Sequence, residues 1–554
     1  MKELLLITII CLCRIVYPQV NEDWVARFSG TLTGGYDVAY DIAVDESGNI
    51  YVTGSSQGNN SGQDYLTIKY NPEGVEQWTS RFNGIINYHD QAYSIALDNS
   101  GNIYVTGGSF GNGTERDYLT IKYNNNGDTI WTRRYNGPGF DLDEAVDIIL
   151  DDSANVYVTG YSASGDNLDI CTIKYDSSGN QKWTSRYIGD GDGVENRPHK
   201  MIIDNSGFLY VTGETSNNLG DLDSYVTIKY DQSGDTLWTA RYKGPGAEGL
   251  SQAYSLAVDD TGNVYVTGRS DPTSAFGLNF NIVTIKYNSN GETLWVNSYN
   301  GPGNSSDAGR DLALDAEGNI IVTGFSVGVS SADLFTIKYS PSGDTLWTAR
   351  YSEPTGQNLA NSLAIDDFGN IYTTGFSRGN STLRDFITLK YNSEGEMKWV
   401  QSYNGSGNGD DEATKIIVDK KNNIYISGFS LGNGTDFATI KYSPVVTSVT
   451  NEIAQNNSFG LEQNYPNPFN PTTTIKYQIL KASYVTIRIY DLLGKEIAIL
   501  VDEFKPAGSY KVEFNSSSHS EKSTNGERNL TSGIYFYQLS TDSFVQTKKM
   551  VLMK

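Results

Sequence analysis

The sequence predicts an all-β fold, a β-propeller followed by a small β-sandwich, on three observations. First, the phrase Asp45-Glu-Ser-Gly-Asn-Ile-Tyr-Val-Thr-Gly54 returns in eight variants along the chain. Second, the eight tryptophans occupy one position of this repeat at intervals of 52 to 57 residues: Trp24, Trp78, Trp131, Trp183, Trp238, Trp295, Trp347 and Trp399. Third, each unit holds four strand-like segments separated by Gly, Asn and Asp turns, with no helical period. Repeats of this size and content are typical of propeller blades.

The count of segments predicts how the propeller closes. In the first unit the four segments are Tyr40–Val44, Ile50–Gly54, Tyr65–Tyr70 and Gln77–Phe82. The first three segments occur eight times after Trp24, but a tryptophan segment follows only seven of them. The spare copy is Trp24–Phe28 at the N-terminus. We therefore expect eight blades, with this N-terminal strand completing the last blade and covering an edge that would otherwise promote aggregation.

Connection lengths distinguish the two faces of the predicted propeller. The turn between the first and second segments and the turn between the third and fourth have constant lengths, so we name their side the uniform face. The other two connections vary in length, and their side is the varied face. Binding residues concentrate on variable loops held by a rigid scaffold, so we expect the site on the varied face.

The repeats and the C-terminal region each resemble a known family. Through the motifs VTG, TIKY and WT-x-R, residues 24–442 resemble the SBBP β-propeller repeat. The C-terminal strands alternate like those of a small Ig-like β-sandwich. This region resembles the C-terminal sorting domain of type IX secretion substrates through five motifs: Asn464–Pro471, Ile489–Lys495, Ala507–Tyr510, Ser532–Tyr537 and Thr547–Met550. That resemblance implies export through the outer membrane of a Bacteroidetes-like bacterium, with the secretion machinery as partner.

These readings divide the chain into four parts. Residues 1–20 combine Lys2 with a short apolar run and are typical of a secretory signal peptide. The propeller is predicted over 21–443, a polar linker over 444–463 and the sorting domain over 464–554. No other segment is apolar enough to cross a membrane, so we expect a secreted or cell-surface protein without a transmembrane segment in its mature form.

Charge and cysteine content exclude several classes of function. The chain has 41 basic and 65 acidic residues, a net charge of −24, which repels nucleic acid. Outside the predicted signal peptide only Cys171 remains, at an apolar strand position, so no disulfide and no thiol enzyme are expected. The three histidines have no zinc-ligand spacing, and no serine lies in a nucleophile motif. We therefore predict no cofactor and no catalytic residues.

Two acidic groups are candidate binding residues. A column at the start of each predicted first strand could share a hard cation such as Ca²⁺; its carboxylates are Asp37, Asp90, Asp143, Asp307 and Asp411. The alternative is that these residues bond their own backbone, since Asn or Ser occupies the column elsewhere. Acidic clusters confined to single repeats are candidate ligand contacts: Asp141, Glu144, Asp190, Asp192, Glu195, Asp410 and Glu412.

The sequence thus favours a non-enzymatic β-propeller that binds polysaccharide or protein on its varied face. The alternative is an extracellular glycan-degrading enzyme, a hydrolase or lyase, which uses acidic residues of that face. A hydrolase would need two carboxylates brought together in a cleft, and the repeat pattern does not place them.

Overall fold

The chain forms two compact units, Met1–Val446 and Thr447–Lys554. The computed structural model describes residues 20–554 with short gaps at 31, 33, 60, 140, 166, 190–193, 217–223, 246–249, 273–278, 329–330, 354–355, 379–382, 446–459, 480–482, 506–507, 518–519, 524–525, 542–543 and 554. The predicted signal peptide, except Val20, lies outside the described residues. None of the described segments is a helix of the length and apolarity needed to span a membrane.

The first unit contains 32 strands among its described residues. Strands of its first half are β1 (Val20–Phe28), β2 (Asp37–Val44), β3 (Ile50–Gln57), β4 (Gln63–Tyr70), β5 (Glu76–Phe82), β6 (Asp90–Leu97), β7 (Ile103–Phe110), β8 (Arg116–Tyr123), β9 (Thr129–Tyr135), β10 (Asp143–Leu150), β11 (Val156–Ser164), β12 (Asn167–Tyr175), β13 (Gln181–Tyr187), β14 (Asn196–Ile203), β15 (Leu209–Thr215), β16 (Ser224–Tyr230) and β17 (Thr236–Tyr242). Strands of its second half are β18 (Ser251–Val258), β19 (Val264–Ser270), β20 (Asn281–Tyr287), β21 (Thr293–Tyr299), β22 (Asp307–Leu314), β23 (Ile320–Val327), β24 (Ala332–Tyr339), β25 (Thr345–Tyr351), β26 (Asn358–Ile365), β27 (Ile371–Arg378), β28 (Arg384–Tyr391), β29 (Met397–Tyr403), β30 (Asp411–Val418), β31 (Ile424–Leu431) and β32 (Thr435–Pro444).

These strands form four-stranded antiparallel sheets of the propeller type. Seven sheets follow chain order, such as β2-β3-β4-β5, and an eighth has the order β1-β32-β31-β30. In that sheet Trp24 lies opposite Lys441 and Val25 opposite Ile440, so the N-terminal strand completes a sheet whose other strands are C-terminal. Each first strand contacts the first strand of the next sheet, and β30 contacts β2. The eight first strands therefore form a closed ring, which we call the inner ring.

Each first strand is longer than the sequence predicted and carries an irregularity. In the first sheet the strand begins at Asp37 rather than Tyr40, and pairing shifts between Ala39 and Asp41. The same shift recurs at the equivalent position of the other seven sheets. A bulge of this kind bends the strand and redirects the extra side chain. The fourth residue of every first strand is that extra residue.

On the uniform face, tryptophan side chains form hydrogen bonds to the neighbouring sheet. The Trp131 Nε1–H donates to the Ser177 carbonyl of the following sheet (3.2 Å), and Lys122 Nζ donates to the same oxygen (3.0 Å). Seven tryptophans make the equivalent bond. Trp399 faces the sheet closed by β1, and among the described residues no carbonyl accepts its N–H. Equivalent lysines make the same kind of bond in other sheets, as Lys286 Nζ does to the Pro341 carbonyl (3.0 Å).

The interior is built from the repeat itself. Aliphatic and tyrosine residues of the second and third strands are fully buried, as at Ile50, Val52, Tyr65 and Ile68. Cys171 belongs to this interior, and burial raises the pKa of its thiol to about 11. This thiol is therefore protonated at neutral pH, consistent with the predicted core position.

The second unit contains nine strands among its described residues: β33 (Gly460–Leu461), β34 (Thr472–Ile479), β35 (Ser483–Tyr490), β36 (Glu496–Lys505), β37 (Gly508–Asn515), β38 (Ser520–Ser523), β39 (Gly526–Asn529), β40 (Gly533–Ser540) and β41 (Val545–Leu552). A sheet of order β33-β34-β37 and a sheet of order β36-β35-β40-β41 share one hydrophobic core. β33 lies within the predicted linker 444–463, so the strands of this unit begin before residue 464. A short two-stranded sheet, β38-β39, lies between β37 and β40 in the chain.

Candidate functional site

The five aspartates predicted to hold a cation each bind the backbone of their own sheet. All five are buried at the first position of a first strand. Asp90 is representative, because its Oδ2 accepts from the Gly84 N–H (2.6 Å) and its Oδ1 from the Phe110 N–H (3.2 Å). The glycine bond recurs at 2.6 Å for the other four: Asp37, Asp143, Asp307 and Asp411. These hydrogen bonds agree with the alternative interpretation, in which each aspartate binds nearby backbone. Its side chain thereby fixes the two varied-face connections.

The structure does not bring these carboxylates together as a metal centre. Within the described part of the chain, no group of three or more His, Cys, Asp or Glu side chains is placed to hold a metal ion. Burial raises the pKa of Asp90, Asp143, Asp307 and Asp411. A Ca²⁺ ion at this column therefore stays a hypothesis.

Two of the predicted ligand-binding acids form ion pairs across neighbouring sheets. Glu144 pairs with Arg116, and both side chains are largely buried. At the equivalent place Glu412 Oε2 lies 2.8 Å from Arg384 Nη1 and Glu412 Oε1 accepts from Asn361 Nδ2 (3.0 Å). Each arginine begins a third strand, and each glutamate is the second residue of the next first strand. These glutamates are therefore neutralised within the fold.

The other predicted ligand-binding acids are scattered over the varied face. Asp141 is exposed, and its Oδ1 accepts only from the neighbouring Leu142 N–H among the bonds of the described residues. Glu195 is exposed and pairs with Arg197 at 3.0 Å. Asp410 Oδ1 accepts from the Arg384 N–H at 3.3 Å. Asp190 and Asp192 lie outside the described residues.

The residues with the character of a binding site lie at the fourth position of the inner ring, which the sequence analysis did not single out. They comprise six residue types over the eight sheets: Tyr40, Tyr93, Val146, His199, Tyr254, Arg310, Asn361 and Thr414. None of these eight side chains is fully buried. One sector is aromatic, with the rings of Tyr40 and Tyr93 centred 5.2 Å apart.

A second sector of the inner ring combines cations with aromatic rings. Tyr254 is flanked by two guanidinium groups, with Arg310 Cζ 5.2 Å and Arg269 Cζ 5.9 Å from its ring centre. Arg269 also lies 4.3 Å from the ring centre of Phe280, and Arg310 lies 5.9 Å from that of Phe325. These distances are those of cation–π contacts. We call Tyr254, Arg269 and Arg310, with the two phenylalanines, the arginine–aromatic cluster.

One buried carboxylate borders this cluster. Glu214 Oε2 lies 3.9 Å from His199 Nε2, and the His199 ring packs edge-on against Tyr254 with centroids 5.4 Å apart. Burial acts to raise the pKa of Glu214, but interactions with His199, Gln252 and Arg197 outweigh it and hold that pKa below its usual value. Glu214 is therefore ionised at neutral pH. Among the described residues, its Oε2 has no hydrogen-bond partner.

The fifth position of the inner ring forms a polar network that joins neighbouring sheets. Its residues are Asp41, Ser94, Asp147, Lys200, Ser255, Asp311, Ser362 and Lys415. Ser94 Oγ donates to Asp41 Oδ2 at 3.1 Å and lies 3.2 Å from Asp147 Oδ1, while Lys200 Nζ lies 3.2 Å from Asp147 Oδ2. The charge of Asp147 raises the pKa of Lys200, and Asp41 and Asp311 add to that effect. This layer is a structural network whose partners are within the protein.

Three surface cavities of the first unit lie on the uniform face. One of about 420 Å³ lies between the turns after β14 and β18, and one of about 320 Å³ between the turns after β6 and β10. The third, of about 470 Å³, lies between the turns after β2 and β30. All three occupy equivalent seams between first hairpins and are lined largely by the turns. Their recurrence indicates that the repeat produces them, rather than a specific ligand.

A sequence signal for the arginine–aromatic cluster does exist. The column five residues before each turn aspartate holds six residue types, whereas the column just before it is mostly alanine. Arg310 is the single arginine of that column, and Arg269 occupies a place that holds Ser55 in the first sheet and Gly108 in the second. The cluster lies within strands, outside the variable connections on which the sequence predicts the binding site.

Comparison with protein-family models identifies both units. The model for the β-propeller repeat named SBBP matches residues 23–60, 77–113 and 238–272. The model for the secretion system C-terminal sorting domain matches residues 463–553. The chain contains SBBP β-propeller repeats and a type IX sorting domain. Both predicted resemblances are confirmed, and the sorting domain marks the protein for export to the cell surface or the extracellular space.

Individual proteins are more distant. An uncharacterised WD repeat-containing protein of Acanthamoeba polyphaga mimivirus is 24% identical over 442 residues, which is 64% of this chain and 30% of that protein. The chain thus spans under a third of the length of this curated relative. PorZ, a surface component of the type IX secretion system of Porphyromonas gingivalis, aligns over 93% of this chain and 66% of its own at 14% identity, with a TM-score of 0.39. Sqt1 of Chaetomium thermophilum aligns over 77% and 100% at 10% identity, with a TM-score of 0.48. No functional conclusion rests on likenesses this weak.

Proposed function

We propose that this exported protein is a non-enzymatic binding module that holds a polysaccharide on the varied-face side of its inner ring. A protein ligand is the next class in order. In this proposal the first unit is one closed eight-bladed propeller, completed by β1, and the second unit is an Ig-like sandwich that delivers the protein to the secretion machinery. Ca²⁺, if bound, would have a structural role.

The observation that carries the proposal is the contrast between neighbouring columns of the same strands. Among the buried positions of the first strands, the first repeats Asp, Asn or Ser, the third is mainly Ala and the sixth is Ile, Leu or Met, which fits a scaffold. The fourth position presents tyrosines, a histidine and an arginine, each only partly buried or exposed. Partly exposed aromatic rings offer flat apolar faces to sugar rings, and adjacent polar groups fix orientation.

The test is retention of the full exported chain on soluble and insoluble polysaccharides, with reducing ends and unsaturated products measured on the same samples. The proposal predicts retention without products. The double variant Tyr40→Ala/Tyr93→Ala tests the aromatic sector. It should abolish retention, and its unfolding midpoint should stay unchanged. No retention on any polysaccharide would contradict the proposal.

A glycan-degrading enzyme is the second candidate, and one observation favours it. Glu214 is a buried carboxylate next to His199 and Tyr254, a grouping of titratable side chains found at catalytic sites. Its carboxylate oxygen Oε2 lacks a hydrogen-bond partner among the described residues. Product formation that disappears in Glu214→Gln would establish this second function in place of the first.

A further inference from the structure

We infer that the saccharide bound by this protein is anionic and that the guanidinium groups of Arg269 and Arg310 recognise its carboxylate. The inference rests on the proposed function and specifies the chemical class of its ligand. It starts from an imbalance of charge within the inner ring.

Among the described residues near the varied face, several arginines outside the arginine–aromatic cluster have a carboxylate partner, whereas the two arginines of the cluster have none. Arg116 and Arg384 each have a glutamate partner from the next sheet. Arg81, Arg134, Arg186 and Arg350 pair with aspartates of their own sheets. Among the described residues, by contrast, neither Arg269 nor Arg310 has a carboxylate within ion-pair distance. In a chain with 24 more acidic than basic residues, two neighbouring arginines without carboxylate partners are unexpected.

The hydrogen-bonding capacity of these two guanidinium groups is largely free. Arg269 Nε donates to Gln252 Oε1 at 2.7 Å, and within the described part of the chain its Nη groups make no hydrogen bond. Among the described residues Arg310 makes cation–π contacts and no hydrogen bond, and its side chain is exposed on the inner ring. A guanidinium stacked on an aromatic ring is held in place while its edge remains available for a bidentate bond to a carboxylate.

Tyr254 borders both guanidinium groups. Arg269 Cζ lies 5.9 Å and Arg310 Cζ 5.2 Å from its ring centre, so carboxylates of one bound saccharide chain can reach both arginines. The Tyr254 hydroxyl donates to Gln252 Oε1 at 2.9 Å, the same oxygen that accepts from Arg269 Nε. Gln252 therefore orients both Tyr254 and Arg269, which fixes the cluster before a ligand binds.

The rest of the fourth position favours a sugar over an acidic peptide. Tyr40, Tyr93 and Val146 form an uncharged sector on three consecutive sheets, and the next three sheets carry His199, Tyr254 and Arg310, a sector that contains the Arg310 guanidinium. A uronate-containing polysaccharide has flat apolar ring faces and carboxylates on the same chain, so it matches both sectors. The overall negative charge of the protein repels polyanions at long range, so this recognition must act through short contacts.

The test compares one polymer with and without its charge. We expect the full chain to bind polygalacturonate at least about tenfold more tightly than its methyl ester. Arg269→Gln and Arg310→Gln should each weaken binding of the acid about tenfold and leave binding of the ester unchanged. Arg310→Lys should recover only part of the affinity, because an ammonium group cannot form the bidentate contact.

The matched control is Arg133→Gln. Arg133 lies over Trp131 on an outer strand, with Cζ 5.4 Å from the ring centre, so the same arginine–aromatic contact is removed away from the inner ring. This control should bind both polymers as the wild type does. Unchanged unfolding midpoints of all variants would show that lost binding is not lost structure.

Five results would contradict the inference. The ester could bind as tightly as the acid, or the arginine variants could bind the acid normally. Alternatively, polyglutamate could bind with the same arginine dependence while the polysaccharides do not, which would assign the cluster to a protein ligand. Retention of neutral galactan that is insensitive to Arg269 and Arg310 would refute the anionic class and leave the proposed function standing. Failure to retain any polysaccharide would refute both.

Discussion

Aspartates at the two ends of the same first strand have opposite electrostatic character. In β6, Asp90 starts the strand on the varied face, and Asp98 follows its end on the uniform face. Burial raises the pKa of Asp90, and its two backbone donors do not compensate. Burial also acts on Asp98, but four hydrogen bonds outweigh it and lower that pKa. β22 shows the same contrast, because the pKa of Asp307 is raised and the pKa of Asp315 is lowered.

The difference shows that one residue type, repeated at both ends of a strand, performs two physical roles. Asp98 is solvated and belongs to a turn in which Ser100, Asn102 and Tyr104 all donate to it. These bonds stabilise the ionised carboxylate, and the carboxylate in turn stabilises the turn. Asp90 is enclosed by backbone. It holds the two connections in place, but burial destabilises its charged form. The varied face is thus the electrostatically costly end of the propeller, which is common for functional surfaces.

The largest expected effect comes from breaking the buried ion pair at the varied-face end. Arg116→Ala leaves Glu144 buried without its cation and should lower the free energy of unfolding by about 3 kcal/mol. Arg384→Ala is the matched control at the equivalent position. Its partner Glu412 is more exposed and keeps a bond to Asn361, so about 1 kcal/mol or less is expected. Denaturant unfolding of the two variants measures the difference, and equal losses would contradict it.

The next effect compares the two aspartates directly. Asp90→Ala leaves the Gly84 and Phe110 N–H groups without their acceptor in a buried place and should cost about 2–3 kcal/mol. Asp98→Ala should cost about 1–2 kcal/mol, because water can replace the carboxylate in a turn. Asp90→Asn should be close to neutral, since asparagine occupies this column at Asn196 and Asn358. A larger loss in Asp98→Ala than in Asp90→Ala would reverse the comparison.

A smaller effect tests the fastening of the sheets on the uniform face. Trp131 and Trp399 are equally buried, with 7% of each exposed, but only Trp131 donates its indole N–H to a carbonyl among the described residues. Phenylalanine removes that donor and part of the ring in both. Trp131→Phe should therefore cost about 1 kcal/mol more than Trp399→Phe. Thermal unfolding midpoints of the pair measure this, and indistinguishable midpoints would assign the tryptophans to packing alone.

The sequence predicts the repeated features of this molecule better than the features found in single sheets. The repeats predicted an all-β propeller because turns such as Asp98–Gly101 and the tryptophan column depend on local chemistry that recurs in every unit. The sorting domain was predicted from motifs contained in one segment. The ends of strands were less accurate: first strands begin at the buried aspartate, because its bonds to the loops extend the pairing.

The candidate site was not predicted, and the reason is spatial. Arg269 and Arg310 belong to adjacent sheets and meet only because the inner ring places both beside Tyr254. Sequence reasoning favoured acidic residues such as Glu144 and Glu412, since they stand out in single repeats. It could not show that Arg116 and Arg384 neutralise them from the preceding sheet. Pairing across sheets decides which charges remain available to a ligand.

The smallest expected effect, the pH dependence of stability, separates the two ends of the strands by sign. A carboxyl whose pKa is raised in the fold binds its proton more tightly there than in the unfolded chain. Asp90 and Asp307 therefore stabilise most below the ordinary value of 3.8, and that stabilisation is lost as the pH rises through their folded pKa. Asp98 and Asp315 have lowered pKa values, so their stabilisation is present above 3.8 and is lost as the pH falls through their folded pKa.

Difference curves between wild type and variants isolate these opposite contributions. As the pH is lowered from 7, Asp90→Asn should lack part of the gain in stability that the wild type shows before pH 3.8 is reached. Asp98→Asn should follow the wild type through that range and lack part of its loss below 3.8. If both variants changed the curve in the same pH range, the two ends of the first strand would share one electrostatic environment. The varied-face end would then have no special cost to explain, and the case for function there would rest on the arginine–aromatic cluster alone.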